Sequence, residues 1–366
     1  MHTSLVLTGG GARAAYQIGV LKGIAEIVDD DKPFDSYVGA SAGAINAVHL
    51  ASKHGDFAGA VHELEQLWGN LRSDSVYDIG WRRMFGMGFS LMKDILLWHR
   101  ESSSPIRYLM DTAPLRRLLT EHNKIKQLHQ KIHKGELSGL VLSATDYREA
   151  ATAYFIETAH RVDNWRRHRR YSVNTHIGID HIMASSAIPM FFPPVRINER
   201  YYGDGAIRNI YPLSPAVHLG ADKILAIGVR NPVDECASAK ATRPSPARLG
   251  SLLIDAIFLD AVDSDIELLQ ATNRIACECP EVQRSPLREI EVMNISPSVD
   301  ISHIAHDYAH LLPMKLSYLL SGLGTRKEAA ALTSYFLFEA EFSQSMIELG
   351  YKDTIERAED LKQFFV

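Results

Sequence analysis

The stretch Ser36-Tyr-Val-Gly39-Ala-Ser41-Ala-Gly43-Ala-Ile-Asn-Ala-Val-His-Leu50-Ala-Ser-Lys53 decides how this chain is read. Ser36-Tyr-Val38 is a short strand-prone run, and the residues from about Ala42 to Lys53 form a small, apolar helical pattern. Between them lies Gly39-Ala-Ser41-Ala-Gly43, a G-x-S-x-G turn that joins a strand to a helix and exposes its serine at the bend. The requirement for small neighbours is steric, because a sharp, strained turn must let its own backbone and a reacting group approach closely. The helix that follows directs its free N–H groups and positive dipole end at the same turn. The pattern alone occurs by chance in about one chain in ten of this length, and Ser41 also reads as a plain helix N-cap. The strand before it and the helix after it favour a nucleophile.

Working towards the N-terminus, Leu5-Val-Leu7 is an apolar run ending in glycines, as expected of a buried parallel strand. Ala14, Ile18, Leu21, Ala25 and Val28 then share one helical face, and Pro33 marks the return. The chain therefore opens β-α-β-α, which predicts a mainly parallel sheet with covering helices. The first βα loop, Thr8-Gly9-Gly10-Gly11-Ala12-Arg13-Ala14, offers consecutive backbone N–H groups to an anion. In a parallel sheet it faces the same crevice as Ser41. Acyl transfer needs such donors for its tetrahedral oxyanion. Gly9-x-Gly11-x-x-Ala14 also fits a dinucleotide fingerprint, but the tip of the second strand carries no carboxylate for a ribose, so this reading ranks lower.

Towards the C-terminus, residues 56–135 read as mostly helical. Ser138 to Thr145, Thr152 to Glu157 and Lys223 to Val229 read as strands, and Ile177 to Ser185 as a helix closed by Ile188-Pro189 and Pro193-Pro194. The composition shifts at Asn231 to Pro246, which is rich in Ala, Pro, Ser and charge. Beyond it Ile254, Ile257, Phe258, Ala261, Leu268 and Leu269 share a helical face, and further helices are expected over Ser302–Ser321, Arg326–Leu349 and Asp353–Phe365. The resulting division is a catalytic domain over 1–230, a linker over 231–248 and a helical region over 249–366. There is no internal repeat.

A third motif, Tyr202-Gly203-Asp204-Gly205-Ala206, would be a simple turn in isolation. A serine nucleophile, however, needs a base within hydrogen-bond reach. Gly9-Gly-Gly-Ala-Arg13, Gly39-Ala-Ser41-Ala-Gly43 and Asp204-Gly205-Ala206 together resemble the patatin-like phospholipases. Ala184-Ser-Ser-Ala-Ile-Pro189-Met-Phe-Phe-Pro193 is similar to the family segment that precedes the Asp motif. These matches run in order from about Leu5 to Pro212. The resemblance implies a three-layer α/β/α fold, and the C-terminal helices are similar to an extension of some bacterial members. It implies a Ser41–Asp204 dyad without a catalytic histidine, an oxyanion hole from Gly10, Gly11 and Arg13, and supporting roles for Gly9, Gly39, Gly43 and Gly205. The substrate would be a lipid or phospholipid ester, with no metal or organic cofactor. The chain departs from the family pattern at Ala14, where the loop usually ends in glycine. Alanine suits that position if its backbone is already helical.

Composition sets the outer bounds. A net charge of −5 over 366 residues argues against nucleic-acid binding through overall positive charge. Three cysteines, Cys236, Cys277 and Cys279, are too few for a disulfide framework. The N-terminus lacks a basic segment and a long apolar run, and no stretch approaches a membrane span, so a cytoplasmic protein is expected. Export without an N-terminal signal stays open. His303, His306 and His310 share a helix face, for which a surface stripe is favoured over a metal site. The basic run Trp165-Arg-Arg-His-Arg-Arg170 reads as solvated charge, or as a contact for anionic lipid head groups. Gly80 to Trp98, rich in Met, Phe and Trp, reads equally as core helix or as an apolar wall able to meet a membrane surface. The competing functions are an α/β-hydrolase triad of Ser41, Asp204 and His218 or His303, an acyltransferase, and a non-catalytic scaffold. Head-group preference and oligomeric state are not legible.

Overall fold

The computed structural model describes residues 1–80, 108–160, 162–231, 261–278, 288–321 and 332–366. The opening pattern appears as β1 (Thr3–Leu7), a 3-10 turn over Gly11–Ala14, α1 (Ala15–Ile27), β2 (Ser36–Ala40) and α2 (Ala42–Ser52). Among the described residues, α3 (Phe57–Gly69), α4 (Ser73–Val76), α5 (Ala113–His122) and α6 (Ile125–His133) follow. Next come β3 (Gly139–Asp146), β4 (Ala151–Thr158), β5 (Arg166–Arg167), β6 (Arg170–Asn174) and α7 (Ile179–Ser185). The central half closes with β7 (Val195–Ile197), β8 (Arg200–Gly203), α8 (Ser214–His218) and β9 (Lys223–Ile227). The remainder holds α9 (Ala261–Glu278), β10 (Glu291–Ile295), α10 (Ile301–Tyr308), α11 (Met314–Ser321), α12 (Ala340–Ile355) and α13 (Ala358–Phe365).

The strands form one sheet in the order β10-β9-β1-β2-β3-β4-β6-β5, with the β7–β8 hairpin attached to β3. The run from β10 to β3 is parallel throughout. Side chains alternate between two cores, as a pleated strand requires. Leu5 and Leu7 enter a core shared with α1, α2 and α3. Val6, Val38 and Val141 enter a second core with Leu213, Ala216, Val262 and Ile266. The central strands are thus buried on both faces, and the expected three-layer fold is observed.

Sheet register positions the site. Leu7 lies opposite Gly39, and Ala40 opposite Ser143, so the carboxyl ends of β1, β2 and β3 meet at one crevice. Besides its antiparallel neighbour β4, the end of β3 pairs antiparallel with β8, with Gly203 opposite Thr145, and this delivers the following residue, Asp204, to the same place.

The C-terminal region differs from its sequence pattern in several places. Glu291–Ile295 was expected within a helical region and instead forms β10, which extends the sheet beside β9. The expected helix Ser302–Ser321 is broken: a 3-10 turn at Ala309–Leu311 and then Pro313 separate α10 from α11. The expected run Arg326–Leu349 is interrupted by non-helical residues 337–339, and its first residues lie outside the described ones. The last expected helix begins only at Ala358, because α12 continues to Ile355. In α9 Val262, Ile266 and Leu269 are half-buried against the second core and Asp265 is buried, whereas Leu268 is exposed. The linker beyond Asn231, the Ile254–Phe258 face and the Trp81–Trp98 part of the apolar segment fall outside the described residues.

Helix α12 lies directly on α1. Gly350 faces the Tyr16 carbonyl and Gly19 faces that of Ile347, so closely that a β-carbon at either would collide with backbone. The Tyr16 hydroxyl donates to Asp353 Oδ2 at 3.0 Å, and the Ser298 N–H donates to the same oxygen at 3.0 Å. Among the described residues, no helix is long and apolar enough to cross a membrane. The crossing yields a direct test. Gly350→Val should lower the free energy of unfolding by about 1–3 kcal/mol, the usual cost of overpacking, as read by equilibrium denaturation.

Candidate active site

Ser41 occupies the bend between β2 and α2 with φ 52° and ψ −128°, a left-handed backbone that side chains other than glycine rarely adopt. Such a conformation costs on the order of 1–3 kcal/mol and persists only where its surroundings over-determine it. Here they do. The Ser41 N–H donates to Ser185 Oγ at 3.0 Å. Its carbonyl accepts from the Ala44 N–H at 2.9 Å and from Ser186 Oγ at 3.1 Å. The side chain makes no N-cap bond to α2. Its Oγ instead donates to Asp204 Oδ2 at 2.6 Å. The alternative of a simple N-cap serine therefore fails on geometry.

Asp204 is fully buried. Its Oδ1 accepts from the Ala206 N–H at 2.9 Å, and its carbonyl accepts from Thr145 Oγ1 at 2.8 Å. Its own N–H donates to the Ala187 carbonyl, and the Gly205 N–H to the Ser185 carbonyl. Ser185, Ser186 and Ala187 thus hold both members of the pair. Nothing local in the sequence links residue 185 to residue 41, so the two serines carry no signal beyond the family resemblance of their segment. Burial pushes the Asp204 carboxyl up to about 7, although the hydrogen bonds from Ser41 and Ala206 favour its charged form.

The glycine-rich loop closes the third side. Gly9 packs between Ser41 and Ala206. Gly10 is extended and Gly11 has φ +56°, lying hard against the Tyr335 carbonyl, so no side chain fits there. Neither the Gly10 nor the Gly11 N–H donates to an acceptor among the described residues. Ala14 has φ −66° and ψ −10°, so the departure from glycine costs the loop nothing. Gly39 is the penultimate residue of β2, and Gly43 sits in the first turn of α2 under the Leu7 and Thr8 carbonyls. Arg13 is buried; its Nε donates to Ser334 Oγ at 2.7 Å, and its guanidinium lies 4.2 Å over the Tyr335 ring.

An apolar pocket opens at Ser41 and Gly11. Ile45, Leu67, Trp68, Leu71, Val76, Leu115, Leu118, Leu119, Ile188, Phe192 and Phe338 line it, and Ser41 and Ser186 are its polar side chains. No histidine hydrogen-bonds to Ser41 or Asp204 among the described residues. His218 bonds the Ser214 carbonyl at 2.8 Å and stacks on Trp165, while His303 is exposed on α10. His306 and His310 are exposed as well. In the basic run, Arg166 pairs with Glu149 at 2.7 Å and Arg170 lies 4.2 Å over Tyr211.

The family model for patatin-like phospholipases matches residues 5–217. No curated protein sequence matches the chain. Among solved structures, VipD from Legionella pneumophila is similar at 13% identity and a TM-score of 0.35, over 98% of this chain and 67% of that one. Human GIVD cytosolic phospholipase A2, in complex with methyl gamma-linolenyl fluorophosphonate, is 12% identical with a TM-score of 0.39, over 100% of this chain and 60% of that one. Full-length ExoU with SpcU from Pseudomonas aeruginosa is 18% identical with a TM-score of 0.23, over 43% of this chain and 35% of that one.

The buried carboxyl makes a prediction about stability. Its pKa is 3.8 when unperturbed and about 7 in the folded chain. Between those values the unfolded chain releases a proton that the native chain keeps, so stability falls as pH rises and the penalty is complete above about pH 7. Asn in place of Asp keeps the shape and removes the charge. Asp204→Asn should therefore gain stability over the parent at pH 8, and the gain should vanish towards pH 4, as read from denaturation midpoints.

Proposed function

Because the chain belongs to the patatin-like phospholipase family, we propose that it is a lipid acyl hydrolase whose nucleophile is Ser41 and whose base is Asp204. The observation that carries this reading is the 2.6 Å hydrogen bond from Ser41 Oγ to Asp204 Oδ2 at the mouth of an apolar pocket. Ionised Asp204 takes the hydroxyl proton as Ser41 Oγ bonds to the ester carbonyl carbon. The negative oxygen that forms is met by the Gly10 and Gly11 N–H groups, which are fixed in place and not otherwise engaged among the described residues. Arg13 contributes positive charge beside this loop, with its side chain anchored by Ser334 and Tyr335.

The tetrahedral intermediate collapses, Asp204 returns its proton to the departing alcohol oxygen, and the acyl group remains on Ser41. Asp204 then takes a proton from water, whose oxygen attacks the acyl carbonyl. Collapse of the second intermediate releases the fatty acid and returns the proton to Ser41. A carboxyl near 7 suits both directions of transfer better than an ordinary aspartate, because the ideal catalytic pKa lies near the working pH. The pocket fits the acyl chain of a lipid or phospholipid, which would be drawn from a membrane surface. Burial of each methylene contributes about 0.8 kcal/mol, so longer chains gain affinity until the pocket is full.

Ser41→Ala and Asp204→Asn should each lower kcat on a long-chain ester by several orders of magnitude. A fluorophosphonate probe should label the parent and spare Ser41→Ala. Full turnover in either folded variant would refute the dyad. The pocket has its own test. Ile45→Trp should reduce kcat/KM on a long-chain ester at least tenfold while changing a butyrate ester less than threefold. Equal loss on both would place the acyl chain elsewhere.

A further inference from the structure

Near the opposite end of α7 from Ser185, three side chains from separate elements converge. His129 comes from α6, Glu157 from the end of β4, and His176 from the loop leading into α7. His129 Nδ1 lies 2.6 Å from Glu157 Oε1, and His176 Nδ1 lies 3.1 Å from the same oxygen. One ligand atom from each residue falls within 4.8 Å of the others. Glu157 is buried, at 7% exposure, while His176 is 88% exposed. Among the described residues no lysine or arginine pairs with Glu157, and its Oε1 meets two imidazoles. Its second oxygen, Oε2, accepts the Ile177 N–H at 2.6 Å.

We propose that His129, Glu157 and His176 form a zinc site unrelated to the hydrolytic chemistry. Two imidazoles and a carboxylate are a ligand set that zinc favours, and three protein ligands leave a fourth position for water. His176 is exposed, so solvent reaches the cluster from its side. Zinc held at about 2.0–2.1 Å from each ligand spaces the donors about 3.3 Å apart. The observed Nδ1–Oε1 separations of 2.6 and 3.1 Å lie just below that spacing, and one ligand atom from each residue stays within 4.8 Å of the others. The Ile177 N–H orients the carboxylate from behind, the outer-shell support that metal ligands commonly have. A magnesium or calcium ion would require mainly oxygen donors and fits less well.

Placement gives the site a structural consequence. His176 and Ile177 lead directly into α7, whose other end carries Ser185, followed by Ser186, the residues that hold the Ser41 backbone. A metal at His176 fastens the leading end of that helix to β4 and α6.

The test uses full-length protein stripped with a chelator and then titrated with zinc against a fluorescent competitor. The parent should take up one tight equivalent and show a raised Tm. His176→Ala, which removes an exposed side chain and should leave the fold intact, should bind at least tenfold more weakly and lose the Tm rise. Glu157→Gln should do the same where it remains folded. Joint replacement of His303, His306 and His310 by Ala should leave the tight equivalent in place. Absence of a tight equivalent in the parent would overturn the proposal. So would its survival in His176→Ala, or its loss in the triple variant, which would place zinc on the surface stripe.

Discussion

The left-handed backbone of Ser41 is the constraint on which the site depends. A serine at φ 52° is held at a cost, and that cost is offset by partners on two other elements. Ser185 Oγ receives its N–H, while Ser186 Oγ and the Ala44 N–H engage its carbonyl. With the backbone fixed, the hydroxyl has a single well-placed acceptor, Asp204 Oδ2. The same short segment anchors Asp204 through the Ala187 carbonyl and Gly205 through the Ser185 carbonyl. Ser41 and Asp204 are therefore positioned by one common support. Movement of that segment would disturb both together.

Asp204 shows why such a site works against the stability of the fold that carries it. Complete burial strips water from the carboxylate, and the hydrogen bonds from Ser41 and Ala206 restore only part of what is lost. In the proposed dyad, the same desolvation that raises the carboxyl to about 7 would match it to a hydroxyl proton at neutral pH. A better-solvated aspartate would fold more favourably and accept the proton less well.

What the sequence made legible follows the range of the forces involved. The β-α-β-α opening, the bend at Ser41 and the loop ending in Ala14 are written in contiguous residues, and the structure reproduces them within a few positions. Ala14 itself is settled by local geometry, since a helical φ of −66° accepts a β-carbon. Asp204 could be paired with Ser41 only through family resemblance, because the β3–β8 register that joins them is a tertiary fact. Glu-Val-Met-Asn-Ile at 291–295 is too short and too mixed to declare itself a strand, and its pairing with β9 decides its state. The breaks near Pro313 and at residues 337–339 likewise interrupt patterns whose apolar spacing alone reads as continuous helix. Glu157, His129 and His176 stand far apart in sequence and show no spacing that would announce a cluster.

The C-terminal region matters to the site more than its distance from the motifs implies. The family match ends at residue 217, yet the Tyr335 carbonyl packs against Gly11 and thereby helps to determine the left-handed turn of the glycine loop. Ser334 and Tyr335 hold the Arg13 side chain, and Phe338 completes the pocket wall. Tyr77 reinforces this segment by donating to the Phe336 carbonyl at 2.9 Å. Helix α12 then continues from it onto α1, where the Gly350–Tyr16 approach and the Tyr16–Asp353 hydrogen bond fix its position. The loop that faces Ser41 is thus clamped between its own helix and residues more than 300 positions downstream in the chain. A truncation that spared every motif residue would still remove one wall of the pocket and the backing of the loop, so the motifs alone do not constitute the site.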